Sequence, residues 1–176
     1  TGGASYNEAQ YDPYYMYSDA PEGGSAIQRW STAINNDFAA RMNWSTNSSF
    51  SSANHNPVAV VNGDNTEKIL QISAAPGSVV TLSAVGSSDL DGDTLTYSWS
   101  FYSQPSSYTG SVNIQNSSSP TATVAIPSDA TNKTIHVVLQ LNDNGTPNLY
   151  AFRRVVITMA PPAIPSGLFA TVVSSN

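Results

Sequence analysis

Between Thr94 and Phe101 the side chains alternate strictly, with Leu95, Tyr97, Trp99 and Phe101 on one side and Thr94, Thr96, Ser98 and Ser100 on the other. A strand sorts residues onto two faces at every second position, whereas a helix needs a period near 3.6. The stretch therefore predicts a strand with one buried face. A Trp at its middle marks the centre of a small β-sandwich core. Directly before it, Asp89-Leu90-Asp91-Gly92-Asp93 crowds three carboxylates into one turn.

The chain after Pro57 repeats this pattern in short pieces: 58–61, 69–73, 79–85, 94–102, 111–115, 121–126, 134–142 and 150–159. Turn chemistry separates them, as in Asn62-Gly63-Asp64, Ala75-Pro76-Gly77, Pro127-Ser128-Asp129 and Asp143-Asn144-Gly145. Seven or eight strands spaced this closely, with no long helix between them, predict a mainly β domain. The expected form is an immunoglobulin-like antiparallel β-sandwich.

Three domain regions are expected. Residues 1–56 read as a Tyr-rich arm plus a helix, 57–160 as the sandwich, and 161–176 as a proline spacer with a short tail. In the arm, Tyr6, Tyr11, Tyr14, Tyr15 and Tyr17 fall within a dozen residues. Their rings could meet a sugar or a protein, or pin the segment onto the domain. A helix over about 25–43 follows from the Ser25/Gln28 capping box and from Ile27, Trp30, Ile34, Phe38 and Arg41 or Met42 at helical spacing. That amphipathic stripe is expected to cover a flank of the sandwich, with Trp44 just past the helix end and freer to be exposed. Ser45 to Asn56 reads as a polar linker.

Only 10% of the residues are charged, and the net charge is −6, against about 25% charged residues in an average protein. Ser, Thr, Asn and Gly cover the surface instead. An acidic chain is a poor match for nucleic acid, whose binding rests on Lys and Arg at phosphates. There is no cysteine, hence no disulfide framework and no thiolate ligand. No apolar run is long enough to span a bilayer, and no signal peptide is visible at Thr1, which suggests a processed or excised fragment.

Catalysis is not expected. A glycosidase sets two carboxylates about 5–9.5 Å apart across a cleft, one of them holding a proton. Here the Asp cluster sits in one turn, and Glu22 and Glu67 fall in predicted loops. The acidic turn has two readings. Asp89, Asp91 and Asp93, with Asp143 from a neighbouring loop, could supply oxygens to a structural calcium ion. Alternatively the carboxylates cap their own backbone amides, which needs no metal. His55 and His136 read as structural, having no partners at ligand spacing.

Sugar binding asks for rigid rings to meet the apolar faces of pyranose units, with amides, hydroxyls and charged groups at the rim. Trp99 and Tyr97 belong with the core face. The remaining candidates are Tyr14, Tyr15 and Tyr17 in the arm, Trp44, Tyr102 and Tyr108, and Tyr150 with Arg153 and Arg154 on the last strand.

Two resemblances give these readings a family. Asn56-Pro57-Val58-Ala59, the run Gly86 to Trp99 and Leu141 to Pro147 resemble a PKD or cadherin-like module. Taken in order, Trp30, Asn36-Asp37-Phe38-Ala39-Ala40-Arg41-Met42 with Trp44, Ala53 to Pro57, Val60 to Asp64 and Arg153 to Thr158 resemble a narrower family. It is the C-terminal domain of bacterial cellulose-binding proteins whose N-terminal part is nucleoside-hydrolase-like. Residues 166–176 resemble the opening strand of a fibronectin type III domain, which implies a parent protein that continues. The resemblance implies a non-catalytic carbohydrate-binding module that targets an exported, secreted or cell-surface bacterial protein to cellulose or another polysaccharide. Its implied partners are a glycan and covalently linked neighbouring domains, with neither nucleic acid nor membrane. The alternative is a spacer or docking domain that positions a catalytic neighbour.

Overall fold

The computed structural model describes residues 28–47 and 49–159, and among these a helix is followed by seven strands. The helix α1 is Ser31–Thr46, and a single 3-10 turn follows at Phe50–Ser52. The strands are β1 Leu70–Ala74, β2 Val79–Ser83, β3 Thr96–Phe101, β4 Asn113–Gln115, β5 Thr121–Ala125, β6 Thr134–Asn142 and β7 Tyr150–Met159. They form a four-stranded sheet ordered β1-β7-β6-β3 and a three-stranded sheet ordered β2-β5-β4.

The alternating side chains close the space between the sheets. Trp99 from β3, Val137, Leu139 and Leu141 from β6, and Val155 and Ile157 from β7 meet Leu82, Ala122 and Val124 of the other sheet. Trp99 is 3% exposed, and its indole N–H donates to the Ser119 carbonyl at 3.0 Å. The central Trp thus buries its ring without leaving its polar edge unpaired.

Two expectations need correction. The pairing is not wholly antiparallel, because β1 runs parallel to β7, from Leu70 opposite Val155 to Ala74 opposite Met159. A parallel pair needs a long crossover, and the whole domain lies between these strands. Nor does 58–61 form a strand: only single bridges form, Val58 to Ser88 and Val61 to Asp64. Its backbone groups are met by side chains instead, Val60 N–H by Ser87 Oγ and the Ala59 carbonyl by Arg153.

The helix differs most from its sequence reading. It starts at Ser31 behind Trp30, with no side-chain cap, and the predicted Ser25 cap lies outside the described residues. The expected stripe faces outward: Ile34, Phe38 and Met42 are 51%, 64% and 50% exposed. The face turned to the domain is Trp30, Ala33, Asp37, Ala40 and Trp44, also at spacings of three and four, with Ala40 fully buried. A Trp at each end braces it, Trp30 on Tyr102 and Phe152 and Trp44 on Asn54 and His55. Large residues therefore stand on both sides, and the helix is not amphipathic in the expected sense.

Candidate functional site

α1 lies over the outer face of the four-stranded sheet. Alternation sends Ala151, Val155 and Ile157 of β7 inward and Tyr150, Phe152 and Arg154 outward. Just past β3, Tyr102 also points outward, its amide donating to the His136 carbonyl at 2.8 Å. Trp30, entering α1, joins the two: its ring meets Phe152 at 4.7 Å and 71° and Tyr102 at 6.5 Å and 89°. Tyr150 and Phe152 are parallel to within 4° at 6.1 Å. Four rings thus run in the order Tyr102, Trp30, Phe152, Tyr150. Tyr102 stands opposite His136 and Tyr150 opposite Asn142, so the row extends about 20 Å along the sheet.

A groove follows this row. Its central cleft of about 630 Å³ has Trp30, Ile34 and Asp37 on the helix side, Glu67 and Ile69 on the far side and Phe152 on the floor. It runs on past Tyr150 into a second cleft of about 530 Å³ bounded by Arg41, Asn56, Val58 and Asn65. Beyond Trp30 a smaller recess of about 270 Å³ is edged by Arg29, Ser100, Ser103 and Gln104. Arg29 spans that end, donating to Gln104 Oε1 at 3.1 Å and lying 5.0 Å from the Tyr102 ring. Asp37 is held by Arg41 at 2.7 Å.

At one end of α1 a second constellation fixes the helix to the sandwich. The Trp44 indole donates to the Asn54 carbonyl at 2.7 Å, and its ring stacks on His55 at 5.2 Å, while Phe50 stacks on His55 at 3.7 Å. The His55 amide donates to Asp91 Oδ2 at 2.7 Å, and the ring Nδ1 lies 3.1 Å from Asp91 Oδ1. Asn54, 8% exposed, donates to Asp143 Oδ2 at 3.0 Å and to the Pro147 carbonyl at 2.8 Å.

These contacts use up most of the acidic turn. Asp89 Oδ1 accepts the amides of Asp91 and Asp93, and Asp143 Oδ1 accepts those of Gly145 and Leu149. Among the described residues no donor bonds the Asp93 carboxyl; desolvation first, then the charges of Asp89, Asp143 and Asp91, raise its pKa above the ordinary range. Among the described residues no three His, Cys, Asp or Glu side chains gather as a metal-holding group. Calcium wants six to eight converging oxygens; here one oxygen each of Asp89, Asp91 and Asp143 already accepts from a backbone amide, while Asp89 Oδ2 is buried without a hydrogen-bond partner.

The other candidates divide clearly. Tyr102 and Tyr150 line the groove, but Arg153 does not offer its charge there. It is 4% exposed, and its guanidinium donates to the carbonyls of Ala59, Asp64 and Lys68 and to Asp64 Oδ1 at 2.9 Å. Asp64 in turn is held below the usual carboxylate range, by Thr66 first and Arg153 next. Tyr108 is a core residue, 9% exposed, its hydroxyl donating to Asp129 at 3.0 Å. Burial, then Asp129, raise that hydroxyl's pKa. Trp44 braces the helix rather than standing free. Tyr14, Tyr15 and Tyr17 lie outside the described residues. Phe152 was missed, although the alternation Tyr150-x-Phe152-x-Arg154 already placed it beside Tyr150, and Trp30 was assigned to core packing alone.

Comparison with known proteins adds a family to this geometry. Residues 79–159 match the model for the C-terminal domain of the cellulose-binding protein Sde0182. This stretch belongs to that family. No curated protein matches the chain. Among solved structures, a nucleoside hydrolase-related protein from Saccharophagus degradans, described as associated with carbohydrate metabolism, is 58% identical with a TM-score of 0.75. The match covers 77% of this chain and 33% of that protein, so the chain spans a third of its length. The PKD domain of the KIAA 1837 protein is 20% identical with a TM-score of 0.39, over 56% of this chain and 87% of that one. Human CDH23 EC21-23 is 19% identical with a TM-score of 0.39, over 59% and 33%. The resemblance to the Sde0182 C-terminal domain therefore holds, and the groove lies partly on its last strand, β7.

Proposed function

We propose that this chain is a non-catalytic carbohydrate-binding module whose glycan lies in the groove between α1 and the outer sheet face. One observation carries the reading: the continuous row of Tyr102, Trp30, Phe152 and Tyr150, flanked on both sides by amide, hydroxyl and carboxylate groups. Ring faces and edges meet the C–H surfaces of sugars, while the flanking groups bond their hydroxyls. The cellulose named in the family description supports a polysaccharide as ligand. The two groove carboxylates suit binding better than proton transfer: Asp37 is engaged by Arg41 and Glu67 is exposed to water. Neither has the dry setting that holds a proton on a glycosidase acid. The module would target an exported or cell-surface bacterial protein to its polysaccharide. Affinity gels and pull-downs over cellulose, xylan, mannan and agarose test this; retention on none overturns it.

The acidic turn, we infer, serves as a clasp that ties residues 54 and 55 to the sandwich through protein donors, without needing calcium. A melting temperature unchanged by EDTA is expected, and a clear fall would restore the calcium reading.

A second reading, docking against a neighbouring domain, is favoured by Phe38 and Met42, exposed on the helix outside the groove lining. Contiguous exposed apolar surface marks contact sites, and the match covers only 33% of the Saccharophagus degradans protein. Hydroxyl-radical footprinting should find Met42 reactive in this chain and shielded in a longer parent protein. Equal reactivity in both would sink the docking reading.

A further inference from the structure

The walls of the groove also select the physical form of the glycan, an inference that rests on the carbohydrate reading above. A crystalline polysaccharide presents a flat face of laterally bonded chains. Binding it takes coplanar rings on an open surface. The rings here are not coplanar: Trp30 stands at 89° to Tyr102 and 71° to Phe152. Phe152 and Tyr150 also lie low between two walls, with Trp30 and α1 on one side and residues 65–69 on the other. A flat sheet of chains would rest on those walls and not reach Phe152.

The polar groups point the same way. Asp37 reaches in from the helix, and Glu67 and Asn65 from the opposite wall. A chain can bond to both walls only when both its edges are free of neighbouring chains. The charge balance selects against acidic sugars. Two carboxylates, Asp37 and Glu67, border the central cleft, while the guanidinium of Arg153 is consumed by protein carbonyls and Asp64 and that of Arg41 by Asp37. With Asp37 paired to Arg41, Glu67 on the wall and Arg154 on the floor remain as one charge of each sign, so the cleft has no excess of cations to attract an acidic sugar.

We propose that the groove takes a single, neutral glycan chain, as in soluble or amorphous material, and rejects the crystalline face of the same polymer. Depletion assays on acid-swollen and microcrystalline cellulose, with affinity gels containing hydroxyethylcellulose, xylan, mannan or polygalacturonate, separate the outcomes. Retention is expected on at least one soluble or amorphous neutral glycan, with microcrystalline cellulose at least roughly tenfold weaker, about 1.4 kcal/mol. Phe152→Ala should reduce that retention by a similar factor, with melting checked alongside. Glu67→Gln, an exposed change that leaves the core alone, should also weaken it. Equal or tighter binding to microcrystalline cellulose would overturn the single-chain proposal while leaving carbohydrate binding intact. Preference for polygalacturonate would overturn neutrality. Unchanged retention in both variants would place the glycan elsewhere, and retention on no glycan would remove the carbohydrate reading itself.

Discussion

On the inner face of the four-stranded sheet, β6 presents Ile135, Val137, Leu139 and Leu141, all fully buried. On the outer face the same strand presents Thr134, His136, Val138, Gln140 and Asn142, and β7 adds Phe152 and Arg154. The inner face is aliphatic apart from Trp99 and its aromatic neighbours, and it closes against a second sheet. The outer face carries rings and charges and lies under a helix anchored to it by Trp30 on Phe152 and Tyr102. Period-two alternation thus separates holding from meeting within single strands. What differs is the cover: a sheet that interlocks on one side, a helix that leaves a groove on the other.

That contrast can be broken from either side. The largest effect is expected at the inner face, where Trp99→Ala should cost about 3–5 kcal/mol in chemical denaturation through lost burial and a cavity. Glycan retention by the folded fraction should be kept. Next is Arg153, which sits at the border of the two faces. Arg153→Ala removes four hydrogen bonds of a charged group from the 59–68 segment and should cost about 2–3 kcal/mol. The groove wall at Glu67 should loosen with it, visible as faster amide exchange in 64–68. On the outer face the order reverses: Phe152, already 38% exposed, should cost under about 1 kcal/mol as Ala while glycan retention falls. A Phe152→Ala protein that melts far lower would show the outer rings to be core after all.

The smallest effect concerns Asp93. Its folded-state pKa is raised, so the ionised carboxylate is disfavoured in the fold, and stability is lost as pH rises through the unfolded value towards the folded one. Asp93→Asn should therefore raise the melting temperature slightly at pH 7. The gain should fade below about pH 3.9, where the unfolded carboxyl is neutral too. A loss of stability at pH 7 would mean that the charge of Asp93 does work the clasp depends on.

Much of this was legible because alternation is a local signal. Thr134–Asn142 and Tyr150–Met159 have the bounds read from sequence, and Trp99 lies where its strand pattern placed it. The helix was misread for a physical reason: the largest apolar residues, Ile34, Phe38 and Met42, were taken as the buried stripe. The face turned to the domain instead carries Ala33, Asp37 and a buried Ala40 between Trp30 and Trp44, and size alone does not reveal that. The sequence offers Arg153 with Tyr150 and Arg154 as a binding patch on the last strand, whereas the fold buries it. Its four acceptors come from residues 59, 64 and 68, about ninety positions away, and no local pattern announces such a fold-back. The groove itself joins α1, the end of β3 and β7, three parts of the sequence that only the fold brings together.

The parallel pair of β1 and β7 has a mechanical consequence. Leu70 to Ala74 lie in register with Val155 to Met159, so the chain enters one strand and leaves the other at opposite ends of the ladder. Tension applied to the polypeptide on either side would slide the two strands lengthwise. Every backbone bond between them would bear the load at once, rather than opening one after another as in a hairpin peeled from its end. A module gripping a polymer while the rest of its protein is dragged by flow or diffusion would carry that strain across its whole strand ladder.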